Sequence, residues 1–331
     1  MDMQRRDVLR KLGGGLAGTT LALAGARAQG APYPARVVRI INPNAAGGST
    51  DVFIRPVAEG LSRLWGQPVI VESKPGAGGM IAAEYVAKQP ADGYTLLMVI
   101  GGFVQAPLLY GKANYDPVRD FAAVSQMGAA QIALVCGNEF PARNLQELVA
   151  HARALGKPLP YASYGLGSSA HVQMEIFGRG ARLALIHVPY RGEAPVLQDL
   201  MGGQVPLGWL AAATARRQLA SGKLRALAVA GPTRSELLPD VPTFGEAGFA
   251  NMDRAGWCGL VAPTGTPQAI VGKVSADVAR VLAPVELRAR LLEGIGFTVT
   301  AGTPEAFADA IKADQAYWGD AIRQAGVRLE L

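Results

Sequence analysis

The 331-residue sequence predicts a mixed α/β protein of two lobes joined by two crossover strands, with a cleft between the lobes. Three observations carry this expectation. Short β-branched runs alternate with longer amphipathic ones, the rhythm of βαβ units and hence of a parallel, buried sheet. Two apolar runs, 131–136 and 256–261, depart from that rhythm near one third and three quarters of the chain. Three glycine-rich turns each follow an expected strand and open an expected helix.

In order, 37–41 is a strand, and Ser49-Thr50-Asp51 caps a helix whose Val57, Leu61, Leu64 and Trp65 keep helical spacing. A second strand covers 68–72, a helix 80–88 and a third strand 95–100. Further on, Asn144 caps a helix reaching 155. A strand at 161–164 leads through Gly165-Leu166-Gly167-Ser168-Ser169 into a helix ending at 177. Strands at 185–190, 205–210 and 224–230 surround a helix at 194–201. The last third reads as helix over 267–292 and 304–324, with a strand at 297–300 between them. If 131–136 and 256–261 are hinge strands, one lobe comprises 31–134 plus 258–331 and the other 135–257.

The first residues are not expected to belong to the fold. A basic start with adjacent Arg5-Arg6 precedes a Gly/Ala-rich apolar run over 12–24, then Ala26-Arg27-Ala28, a small-x-small cleavage pattern. Residues 1–28 therefore read as a cleaved export signal, with arginines resembling the twin-arginine type. The apolar run falls short of the ~20 residues that span a bilayer. A periplasmic location is expected.

Composition narrows the function. Half of the residues are hydrophobic and 18% are charged, which excludes wholesale disorder. Half of the +6 net charge lies in residues 1–28, so the remainder lacks the concentrated basic face of a nucleic-acid binder. Two cysteines and three histidines cannot supply the usual thiolate metal sites. No phosphate-loop, dinucleotide or serine-hydrolase motif is present. No metal or cofactor is expected, and no catalytic residue is assigned. His151 reads as a helix-surface residue and His187 as a core imidazole. Cys136 and Cys258 would be within reach of a disulfide only if the two hinge strands ran side by side.

The positive signal is the set of turns: 42–51, 75–79 and 164–171. Glycines admit close backbone approach, and the first N–H groups of a helix point outward, unpaired, at the positive end of its dipole. Each turn can hold a carboxylate without a lysine or arginine. With turns contributed by both lobes, one ligand could be gripped from two sides. Asp51 is expected to support the first helical turn. His171 could either contact a ligand or pack its helix.

Laid out in order, these residues resemble the tripartite tricarboxylate transporter receptors, the TctC or Bug-type periplasmic substrate-binding proteins. The likeness runs from Tyr33-Pro34-Ala35-Arg36-Val37-Val38 through Gly47-Gly48-Ser49-Thr50-Asp51, Lys74-Pro75-Gly76-Ala77-Gly78-Gly79 and Ala91-Asp92-Gly93-Tyr94-Thr95. It continues with Gly167-Ser168-Ser169-Ala170-His171, Val188-Pro189-Tyr190-Arg191-Gly192, Asp199-Leu200-Met201-Gly202-Gly203-Gln204 and Leu238-Pro239-Asp240-Val241-Pro242.

The resemblance implies a periplasmic-binding-protein (Venus-flytrap, type II) fold and capture of a small organic mono-, di- or tricarboxylate. It implies delivery to membrane transporter subunits by a monomeric receptor. By position it places Gly48, Ser49, Thr50, Gly78, Gly79, Ser168 and Ser169 at the ligand, with Tyr190 and Arg191 in reach; the turns themselves add Asn44, Gly167 and His171 as candidate contacts. Alternative outputs are signalling to a membrane sensor kinase or a cleft enzyme acting on a small acid. The sequence departs from the family pattern at Asn42-Pro43-Asn44-Ala45-Ala46, at Pro206 and at Cys258; the first departure bears on ligand identity.

Overall fold

The computed structural model describes residues 33–249 and 252–328. The expected export signal lies outside these residues. The strands are β1 (Val38–Asn42), β2 (Val69–Ser73), β3 (Thr95–Ile100), β4 (Phe121–Ala130), β5 (Ile132–Gly137), β6 (Leu159–Ser163), β7 (Leu185–Pro189), β8 (Leu207–Ala211), β9 (Leu224–Val229), β10 (Gly256–Pro263) and β11 (Phe297–Val299). They form a six-stranded sheet of order β11-β4-β10-β3-β1-β2 and a five-stranded sheet of order β7-β6-β8-β5-β9. Each sheet with its helices is one lobe.

The sheets are mixed rather than parallel throughout. β1 is parallel to β2 and β3, and β6 to β7 and β8. β10 runs antiparallel to both of its neighbours, and so does β5. The reason lies in the crossovers. Strands native to a lobe point their carboxyl ends at the cleft, whereas a strand that enters from the other lobe starts at the joint and runs away from it. β4 of the first sheet becomes β5 of the second through the single residue Gln131, and the chain returns ahead of β10. The limits read from sequence, 134/135 and 257/258, fall a few residues inside β5 and β10.

Cys136 is on β5 and Cys258 on β10, in different sheets, and both are buried free thiols. The side-by-side strands that a disulfide required are absent, because each crossover strand is taken up by its own sheet.

The helices are α1 (Ser49–Trp65), α2 (Met80–Ala87), α3 (Gly102–Tyr110), α4 (Leu145–Ala154), α5 (Ser169–Gly180), α6 (Glu193–Met201), α7 (Ala212–Ala220), α8 (Gln268–Leu282), α9 (Val285–Ile295) and α10 (Pro304–Ala325). The single helix expected over 267–292 is two, because Pro284 lacks an N–H and clashes with the preceding turn. α3, β4 and α7 were not expected. α3 contains Pro107 and is largely buried. The carbonyl of Phe103, which Pro107 leaves without its helical partner, accepts the Tyr115 hydroxyl at 2.9 Å instead.

The first lobe closes over Leu97, Val99, Phe103, Phe121, Trp257 and Phe307; the second over Leu134, Tyr161, Phe177, Trp209 and Phe244. Across the joint, α10 packs on α5, and Arg179 donates to the carbonyl of Gln324. No helix among the described residues is long and apolar enough to cross a membrane.

Candidate functional site

A cleft of about 420 Å³ opens where the carboxyl ends of β1, β2 and β3 face that of β6. Residues of the α1, α3 and α5 helix starts line it, together with Gly78. Since the first amides of each helix have no partner within their own helix, donors from both lobes face one volume.

At α1, the N-cap Gly48 supplies no side chain to occupy those amides. The turn is held from behind. Buried Asn42 accepts the Asn44 N–H at 3.3 Å and the Thr50 hydroxyl at 3.0 Å, while the Asn44 amide donates to Thr50 at 3.2 Å. Asp51 accepts the Gly47 N–H at 2.9 Å and the Arg55 guanidinium at 2.7 Å. Arg55, more than any other group, holds its carboxyl below the usual aspartate range. Asp51 is therefore a brace inside the turn, as its place in the first helical turn suggested.

The second turn is left-handed at Ala77, Gly78 and Gly79, with φ of 47°, 65° and 97°. Its Gly78 carbonyl lies 2.8 Å from where a Cβ on Gly102 would stand, so only glycine fits at the start of α3. Gly79 backs onto Pro43 beside a small recess and does not line the main cleft.

At α5, Ser168 caps the helix by accepting the His171 N–H at 3.3 Å and donates to the Gly165 carbonyl at 2.7 Å. The Tyr164 hydroxyl sits at the same helix start, 3.0 Å from Ser169 Oγ. His171 accepts the Gly167 N–H on Nδ1 at 3.1 Å, and its ring stacks on His187 with centroids 3.9 Å apart. His187 in turn lies 2.7 Å from Ser163 Oγ and stacks on Tyr161. Burial lowers the pKa of both imidazoles, that of His187 to about 4. Both are held neutral, and only a neutral His171 can accept from Gly167.

Of the residues proposed from sequence, Asn44, Ser49, Thr50, Gly78, Gly167, Ser168 and Ser169 line the cleft together. Gly48, Gly79, His171, Tyr190 and Arg191 do not. Tyr190 turns toward α6, where its hydroxyl donates to Asp199 at 2.5 Å, and Arg191 is exposed. Their turn supports the site from behind: the Gly192 N–H donates to the Tyr164 carbonyl at 3.1 Å.

Tyr164 and Leu166, from the expected 164–171 turn, also line the cleft, and sequence reasoning missed most of the other lining residues. Gly101-Gly102 after β3 is a fourth glycine turn of the same design, and that signal was available. Gln105, Gln173, Trp257, Asp314 and Trp318 carried none, since only the tertiary fold brings them together. Asp314 is buried, accepts the Trp257 indole N–H at 2.6 Å and lies 3.5 Å from Arg254. Burial pushes its carboxyl upward, partly offset by these donors. Gln173 donates to the Arg254 carbonyl at 3.0 Å. Among the described residues, no lysine, arginine or histidine lines the cleft. No group of three or more metal-ligating side chains occurs among the described residues.

Two lobes, an antiparallel crossover strand in each, and helix starts converging on the cleft between them define a solute-binding protein of the periplasmic-binding class. Residues 53–327 match the profile of the tripartite tricarboxylate transporter family receptor, and the chain belongs to that family. It is 33% identical over 307 residues to a protein encoded in the tcbD-tcbE intergenic region of Pseudomonas sp. strain P51, covering 92% of this chain and 91% of that one. It is 33% identical over 306 residues to BugT of Bordetella pertussis, covering 90% and 92%.

Among solved structures it resembles the R. palustris protein Rpa4515 with adipate, at TM-score 0.77 and 33% identity over 89% of this chain and 99% of that one. It also resembles MatC of Rhodopseudomonas palustris with bound malate, at TM-score 0.75 and 32% identity over 88% and 100%.

Proposed function

We propose that this protein is a periplasmic receptor that captures a small organic carboxylate in the interlobe cleft and passes it to the membrane subunits of a tripartite transporter. It works as a monomer and makes or breaks no covalent bond. The two sheets with their helices act as the closing halves. The carboxylate is held by the amides of the α1, α3 and α5 starts, with Asn44, Ser49, Thr50, Gly78, Gly167, Ser168 and Ser169 around it. Gly48, Gly79, His171, Tyr190 and Arg191 maintain the turns.

The observation that carries this reading is the convergence of helix starts from both lobes on a cleft that no cationic side chain lines among the described residues. Such an arrangement favours an anion through fixed dipoles and charge-assisted N–H bonds. The adipate and malate of the related structures are carboxylates of a size such a cleft holds. Export to the periplasm is supported by the basic, apolar and small-x-small order of the first residues.

Calorimetry with small carboxylic acids, each paired with its primary amide, tests the proposal. Acids should bind at least about tenfold more tightly than their amides, as charge-assisted bonds exceed neutral ones. A neutral sugar or an amide as the tightest ligand would overturn it.

A further inference from the structure

One part of the cleft wall has a chemistry of its own. It is built by Gln173 of α5, Trp257 of β10, and Asp314 and Trp318 of α10, with apolar Leu109 and Ala106 of α3 alongside. Gln173 is 1% exposed; its Nε2 is spent on the Arg254 carbonyl, and its Oε1 has no hydrogen-bond partner among the described residues. A buried amide oxygen left unpaired costs free energy that a ligand donor can recover. Both carboxylate oxygens of Asp314 are engaged, Oδ2 by the Trp257 indole and Oδ1 by Arg254. The Arg254 guanidinium, 3.5 Å from Asp314, lies over the Tyr317 ring at 4.8 Å and is not among the lining groups.

The geometry points to a second subsite within the cleft that selects acids whose other end is an uncharged hydrogen-bond donor: a monocarboxylate with an apolar body and a terminal hydroxyl donating to Gln173 Oε1. This rests on the carboxylate reading above and adds what lies at the other end of the ligand. A second carboxylate has no hydrogen to donate to Gln173 Oε1, and Arg254, already shared with Asp314, is not among the lining groups that could pair with it. An ammonium could donate to Gln173 Oε1 but would leave water where the Asp314 charge is already shared by Arg254. A bare methyl end would fit but leave Gln173 Oε1 unpaired.

The test is calorimetry on the purified full protein with acids that differ only at the far end. Hexanoate, 6-hydroxyhexanoate, 6-aminohexanoate and adipate form the flexible set. Phenylacetate and its 4-hydroxy, 4-aminomethyl and 4-carboxy derivatives form the rigid set. In whichever set binds better, the hydroxy acid should bind about tenfold more tightly than the unsubstituted acid. It should bind about a hundredfold more tightly than the dicarboxylate.

Gln173→Leu should reduce the hydroxy-to-unsubstituted ratio to about one, since leucine keeps the volume and removes the acceptor. Should that variant fail to fold, the wild-type ranking decides alone. A dicarboxylate or amino acid binding tightest overturns the inference and leaves the carboxylate reading intact. Failure of every acid in both sets, with amides binding instead, overturns both.

Discussion

His171 shows how a residue can matter to a site without touching its contents. Its imidazole is 7% exposed, stacked on His187, and uses Nδ1 to hold the Gly167 amide. The ionisable groups facing the pair are Glu175, which favours protonation of His171, and Tyr161, which donates to Glu175 at 2.7 Å. Burial is the larger effect and depresses both imidazoles.

A depressed folded-state pKa means that the neutral form contributes stability above the unfolded value of about 6.5, and that the contribution is lost as pH falls toward the folded value. Unfolding free energy of the unliganded protein should therefore be flat in this component above pH ~6.5. It should decline between ~6.5 and the value of about 4 given for His187. The His171 component is at most ~1.4 kcal/mol per pH unit. His171→Asn, which keeps an acceptor but cannot titrate, should flatten part of that slope in urea titrations run across this range. An unchanged slope would remove His171 from the account.

At the scale of elements, the glycine turns are fitted to each other as well as to a ligand. The start of α3 lies against the Gly78 carbonyl so closely that a methyl group at Gly102 would stand 2.8 Å from it. Gly102→Ala should push the Gly78 turn away from the cleft. Carboxylate affinity should fall at least about tenfold, by the loss of one or two charge-assisted bonds, with stability lowered by ~1–3 kcal/mol from overpacking. Calorimetry and thermal melts would separate the two effects, and wild-type affinity in the variant would show that the contact is slack.

This pairing also shows why the site was only partly legible beforehand. The turns after β1, β2 and β6 announced themselves through local composition, because helix-start donors are made by consecutive residues. The α3 start has the same local signature but sits before an apolar helix interrupted by Pro107, which has no amphipathic period to mark it. β4 was invisible for a related reason: Phe-Ala-Ala-Val-Ser-Gln-Met-Gly-Ala-Ala is poor in β-branched residues, and its strand state comes from pairing with β10 and β11. The wall that carries Gln173 and Asp314 was beyond reading, since the two lie on helices of different lobes that come together through the packing of α10 on α5.

At the scale of the molecule, the second lobe is an insertion into the first, and its points of entry and exit adjoin. Ala130, the last residue of β4, is the antiparallel partner of Gly256, the first of β10. Removing everything between them and bridging the gap with Asn-Gly would turn two long-range strands into a β-hairpin, with the dipeptide that favours a type I′ turn. The shortened chain would keep its six-stranded sheet and should give a cooperative thermal transition and a monomeric hydrodynamic size while retaining no measurable affinity for any acid. A product that stays unfolded would mean that the excised portion is a scaffold for its host. A folded one would make the receptor a self-standing body that acquired its opposing jaw by a single internal graft.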